Sequence, residues 1–148
     1  MIGSIRPDSW NLPLFLHVLG AMTLVGGVAT IIVLAATAGR RPERALLSRA
    51  ALWVTLLLVL PSWIVMRIAA QWTASKEGIE DLDATWLGIG YMVGDAGLVV
   101  LLVTTGFTFW WSRRRGEGWQ RGAVLGLAAL YLAALAVAWF AMSGKPGG

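Results

Sequence analysis

Four long apolar runs, at about residues 12–38, 45–70, 84–111 and 119–142, constrain this chain more than any motif does. Each exceeds the roughly 20 residues that an α-helix needs to cross ~30 Å of hydrocarbon. Barrel strands would be shorter and would alternate apolar with polar residues, so the continuous runs read as helices. The expected fold is all-α: a polytopic membrane protein forming one membrane domain over residues 1–148, built as a four-transmembrane-helix bundle. Composition closes off the alternatives. At 148 residues, with 57% hydrophobic and 14% charged, a soluble domain could not bury its apolar surface, and a disordered chain needs the opposite balance.

Charge is sorted between the turns. Arg40, Arg41, Arg44 and Arg49 oppose only Glu43 around the first turn, and Arg113, Arg114, Arg115 and Arg121 oppose only Glu117 around the third. The second turn reverses the balance, with Lys76 against Glu77, Glu80, Asp81 and Asp83. Because Lys and Arg are retained on the cytoplasmic side, both basic turns are expected inside, and the acidic turn and both termini outside. The expected location is a bacterial cytoplasmic membrane. Eight of the twelve basic residues lie in these two turns without a nucleic-acid recognition motif, so nucleic acid is not an expected partner. The expected partners are the lipid bilayer, anionic lipid headgroups at the basic loops, and a membrane-protein partner or a second copy of the chain.

The segment Ala36-Thr37-Ala38 imitates a small-residue cleavage site, but the first run is longer than a signal core and its stronger positive flank follows it. It reads as an uncleaved helix. Trp10, Trp63, Trp72, Trp86 and Trp139 fall near the outer ends of the runs and Trp110, Trp111 and Trp119 near the inner ends, as headgroup anchors would. Trp53 lies deeper, as a lipid-facing or packing residue. Gly90-x-x-x-Gly94 and Gly122-x-x-x-Gly126 are close-packing motifs. Pro61, lacking an N–H and crowding the Leu57 carbonyl, predicts a kink, either simply tolerated or opening a cavity at the outer half of the bundle.

Three strongly polar side chains stand inside the runs: His17, Arg67 and Asp95, all in the outer half. Charges in hydrocarbon are costly and seek one another, so Arg67 and Asp95 are expected to pair, with Tyr91, four residues before Asp95, and His17 nearby. Two structural readings compete: a static interhelical pair, or snorkelling of Arg67 and His17 to the headgroups. A functional reading makes the cluster a site for a ligand, ion or proton, since Asp95 is too short to reach water. A sharper version uses His17, Met66 and Met92, at similar depth, as ligands for copper or haem. Met66 and Arg67 differ by about 100° around one helix, so both cannot point fully inward. One His excludes bis-histidine haem within a chain, and the absence of Cys excludes disulfides, thiolate metal sites and cysteine nucleophiles. No catalytic residues are assigned: a Ser-His-Asp constellation, a phosphate-binding loop and a dinucleotide fingerprint are all missing, and segment 76–83 lacks calcium-loop spacing. Asp83 is the expected N-cap of the third helix.

The run His17-Val18-Leu19-Gly20 followed by Gly26-Gly27 resembles the first-helix signature of a family of uncharacterised bacterial integral membrane proteins with four transmembrane helices, similar in outline to the copper-resistance CopD membrane domain. The resemblance extends through Leu60-Pro61-Ser62-Trp63 and Trp86-Leu87-Gly88-Ile89-Gly90 to Asp95, covering most of the chain as far as Arg115. It implies a four-helix architecture and, from the CopD-like comparison, a role for His17 in copper or haem handling. The chain departs from a metal-handling pattern in having one His and no Cys. The residues therefore favour a non-enzymatic accessory or interaction subunit. The rivals are a haem- or copper-handling redox protein using His17, and a small transporter or proton path through Asp95.

Overall fold

The computed structural model describes residues 11–79 and 85–144. They form four helices, α1 (Asn11–Ala38), α2 (Arg44–Glu77), α3 (Thr85–Arg113) and α4 (Gln120–Gly144), each long and apolar enough to cross a membrane. Among the described residues there is no strand. The chain is an all-α four-helix bundle of multi-pass membrane character. Its helices form a ring in chain order: α1 packs on α2 and α4, and α3 packs on α4 and on the first half of α2. The second half of α2 scarcely approaches α3, so the ring is tight at the arginine-rich end and loose at the other.

Apolar side chains gain little by leaving lipid for a helix interface, so close backbone approach and hydrogen bonds must hold such a bundle. The buried positions show how. α1 buries Gly20, Leu24, Gly27, Ile31 and Ala38, and α3 buries Gly94, Gly97, Leu101, Thr104, Thr108 and Trp111, in steps that keep a seam of period near 3.5 facing inward. A Cβ on Gly20 would lie 2.8 Å from the Met66 backbone nitrogen, and one on Gly97 would strike the Tyr131 ring. The buried Thr104 and Thr108 hydroxyls donate to carbonyls one turn back, at 2.7 Å each, which satisfies them without water.

α2 carries two features that its apolar run did not foretell. Its seam, Ser48, Ala51, Thr55, Val59, Ser62, Met66 and Ala69, advances by four residues twice in succession at Thr55 and Val59. A single π turn, Thr55–Val59, absorbs the extra residue, with the Leu60 N–H bonded to the Thr55 carbonyl. Pro61 follows directly, at the start of the next α-helical segment. The widened turn thus lies immediately before the proline, and the α-helix resumes there. It also runs to Glu77 rather than ending near residue 70, so Lys76 and Glu77, counted above with the second turn, are helical. Hydropathy marks where a helix leaves oil, whereas this helix stops at Gly78, whose φ of 66° lets the Ile79 N–H reach the Ala74 carbonyl. The expected Asp83 cap, Trp10 and both chain termini lie outside the described residues.

At the arginine-rich end the turns interlock. Gly116, at φ 82°, lies against the Arg44 carbonyl where a side chain would not fit. Arg121 Nη1 donates to the Ala35 carbonyl at 3.1 Å, satisfying an end carbonyl of α1, and its guanidinium fills the space beside Gly39. Among the tryptophans, Trp111 corrects the anchor reading: it is 0% exposed and forms part of the core. Its helix turns it inward on the Leu101, Thr104 and Thr108 seam, a position that proximity to the membrane boundary cannot reveal. Trp110 and Trp119 are exposed and cluster edge-on, with centroids 5.6 Å apart, and Trp53 faces outward. Of the two Gly-x-x-x-Gly motifs, Gly90 and Gly94 meet Met142 and Arg67, whereas Gly122 and Gly126 face open space.

Candidate functional site

The loose side of the ring, between the second half of α2 and the first half of α3, is where the polar side chains gather. The helical phase that separates Met66 from Arg67 sends them to different neighbours. Met66 is buried against α1, where its backbone sits beside Gly20, and Arg67 reaches across to α3. Arg67 Nε donates to Asp95 Oδ1 at 2.7 Å, and its Nη2 makes a longer bond, 3.4 Å, to Oδ2. Two parallel donors on one carboxylate give a charge-assisted fork that fixes both rotamers. Gln71, one turn along α2, accepts from Nη1 at 3.4 Å through Oε1. The Tyr91 ring lies under the guanidinium, 5.1 Å from its carbon, where the negative π face attracts the cation. The Arg67 stem passes Gly94 at ordinary contact range, with 3.7 Å between Cδ and the position a Cβ would take.

Two further contacts tie this region together. Trp63 Nε1 donates to the Gly94 carbonyl at 2.9 Å, a bond from α2 to α3 one residue from Asp95. The side chain read as a headgroup anchor thus also works as an interhelical clamp. His17 Nδ1 lies 3.1 Å from the Met66 carbonyl oxygen, so α1 joins the site through α2's backbone. A carbonyl can only accept, which assigns the proton to Nδ1 and, in a neutral ring, the lone pair to Nε2.

Arg67, Tyr91 and Asp95 therefore form one constellation, while His17 lies one helix layer away and contacts Met66 rather than the ion pair. Met92 points outward and is 64% exposed, on the opposite side of α3 from its buried seam. Among the described residues no group of three His, Asp or Glu side chains converges as metal ligands. The distribution of exposure across the pair is unequal: the Arg67 side chain is 25% exposed and that of Asp95 is 59%. The pair thus sits at the surface of the bundle, with its carboxylate side uncovered.

Sequence reasoning did not find Trp63 as a clamp, because its position near a helix end already accounted for an indole. Nor did it find the Tyr131 hydroxyl and the Gln120 side-chain amide, both buried with no hydrogen-bond partner among the described residues. The sole available signal was polarity inside or beside the fourth run. The chain matches no known family model, no characterised protein and no solved structure.

Proposed function

We propose that the chain is a non-enzymatic accessory or interaction subunit of a bacterial cytoplasmic membrane, oriented with its arginine-rich turns in the cytosol. In this reading the Arg67–Asp95 pair fixes α2 to α3 and offers its uncovered side to another membrane-embedded polypeptide. One observation carries it: a carboxylate more than half exposed on a helix at membrane depth. α3 has 29 residues, about 43 Å, and Asp95 is about 15 Å from its first residue, which places it roughly 9 Å inside a centred 30 Å hydrocarbon layer. Lipid tails cannot solvate an ion pair there, and a second protein surface can.

The test is photo-crosslinking in native membranes from a benzophenone side chain placed at Met92, one turn from Asp95 and exposed. A polypeptide adduct is expected; lipid adducts alone would rule the reading out. Orientation is checked separately with a membrane-impermeant maleimide, which should label Ser75→Cys from outside and Arg114→Cys only after lysis.

A second reading has one observation in its favour. The His17 Nδ1 bond to the Met66 carbonyl orients the ring and leaves Nε2 as a lone-pair donor, the arrangement that suits a ligating imidazole. A haem absorption band or stoichiometric copper in the purified protein, lost in His17→Ala, would favour this reading over the first. Colourless, copper-free material after growth with both supplied would remove it.

A further inference from the structure

α3 carries two seams. Opposite the buried one, Gly88, Met92, Asp95, Val99, Leu102 and Gly106 recur in alternating steps of four and three, and all six face outward. This is the period that two helices need in order to pack along their whole length in a left-handed crossing. Among the described residues nothing lies within 4 Å of where a Cβ would stand on Gly88 or Gly106, so another backbone could approach both ends of the seam closely. Asp95 is the one charged residue on it. A lone polar residue in such a seam sets the register of the partner, provided the partner brings a complementary group at the same depth.

The chain itself brings that group. Resting on the docking reading above, we propose that the partner is a second copy of this chain, paired through α3 about a two-fold axis along the membrane normal. Arg67 of each copy then bonds Asp95 of the other, in addition to its own. A two-fold along the normal relates points at equal depth, and the 2.7 Å bond already holds guanidinium and carboxylate at one depth. Arranged around the axis with each Arg67 between the two Asp95 carboxylates, the four groups alternate, Arg-Asp-Arg-Asp, so every neighbour is opposite in sign. The groups also have capacity for it. Both Nη bonds of Arg67 are long, at 3.4 Å, and among the described residues each carboxylate oxygen accepts one hydrogen bond, with a second lone pair remaining. A partner bearing only apolar residues would leave the carboxylate uncovered; a second copy covers it with the cation that it lacks on that side.

Having no cysteine, the chain allows a clean test. In vesicles under mild oxidation, Val99→Cys, one turn from Asp95, should form a disulfide-linked dimer, while Val33→Cys, equally exposed on α1, should not. Charge exchange then tests the pairing. Asp95→Lys alone and Arg67→Asp alone, each in the Val99→Cys background, should lower the cross-linked fraction at low protein-to-lipid ratio by about tenfold or more. Co-expressing the two with different tags should restore it, as a heterodimer only. Loss of dimer in each variant without restoration in the mixture, both chains retaining the parent's helical circular dichroism, would overturn the exchange. If either variant misfolds, the Val99→Cys result in the otherwise native chain decides: a disulfide joining two copies through position 99 supports the pairing and its absence overturns it. Linkage of Val99→Cys to a different polypeptide overturns self-pairing and leaves the docking reading standing. Failure of Val99→Cys together with lipid-only adducts from Met92 overturns both.

Discussion

Replacing Gly20 by alanine tests how α1 and α2 are held. An added Cβ would lie 2.8 Å from the Met66 nitrogen and 3.0 Å from its Cα, both backbone atoms in the middle of a helix that cannot rotate away. Ordinary contact begins near 3.4 Å, so the two helices must part locally by about half an ångström or more. Overpacking of this kind costs about 1–3 kcal/mol. The separation also lengthens the His17 to Met66 bond, now 3.1 Å, removing roughly another 1 kcal/mol. Alanine returns up to about 1 kcal/mol through helix propensity, leaving a net loss of about 1–3 kcal/mol. Gly26→Ala, on the same helix with nothing within 4 Å, gains the propensity without the clash and should be neutral or slightly stabilising. The assay is reversible unfolding in mixed micelles, followed by tryptophan fluorescence and helical circular dichroism. Equal stabilities for Gly20→Ala and Gly26→Ala would refute the close approach of α1 to α2.

At the centre of the bundle, Tyr131→Phe should hold or raise the melting temperature, because it removes a buried hydroxyl that has no partner among the described residues, while Gly97→Ala should lower it by driving a Cβ into the Tyr131 ring. A fall for Tyr131→Phe as large as that for Gly97→Ala would show that the hydroxyl is bonded. At the arginine-rich end, Arg121→Ala should cost about 1–2 kcal/mol in the same unfolding assay, by leaving the Ala35 carbonyl of α1 without its charged donor. An unchanged value would mean that water replaces the guanidinium.

The helix count was legible from the apolar runs because crossing a bilayer demands length and apolarity that nothing else in the chain supplies. The end of α2 was not, since the residues from Gln71 to Glu77 are polar enough to leave the membrane and still helical, and only the left-handed Gly78 stops them. Arg67 and Asp95 stood out because ionised groups in oil have few options, and the observed fork at 2.7 Å is one of them. Which atoms of His17 and Trp63 bond to which carbonyls depends on the rotation of each helix about its own axis. Four nearly uniform apolar faces encode that rotation weakly: in α1 the inward positions include Gly20 and Gly27, which look no more buried in sequence than the outward Gly26. For the same reason Trp111 and Trp110, adjacent in sequence, end up as core and surface.

The ion pair between α2 and α3 carries both the packing and the docking readings, and a double-mutant cycle over Arg67→Met and Asp95→Leu, measured in lipid, reads it directly. Each single change strands one charge at membrane depth, so the double variant should be more stable than the two losses summed, with a coupling of about 1–3 kcal/mol. Losses that add to within about 0.5 kcal/mol would show two independent side chains and contradict it.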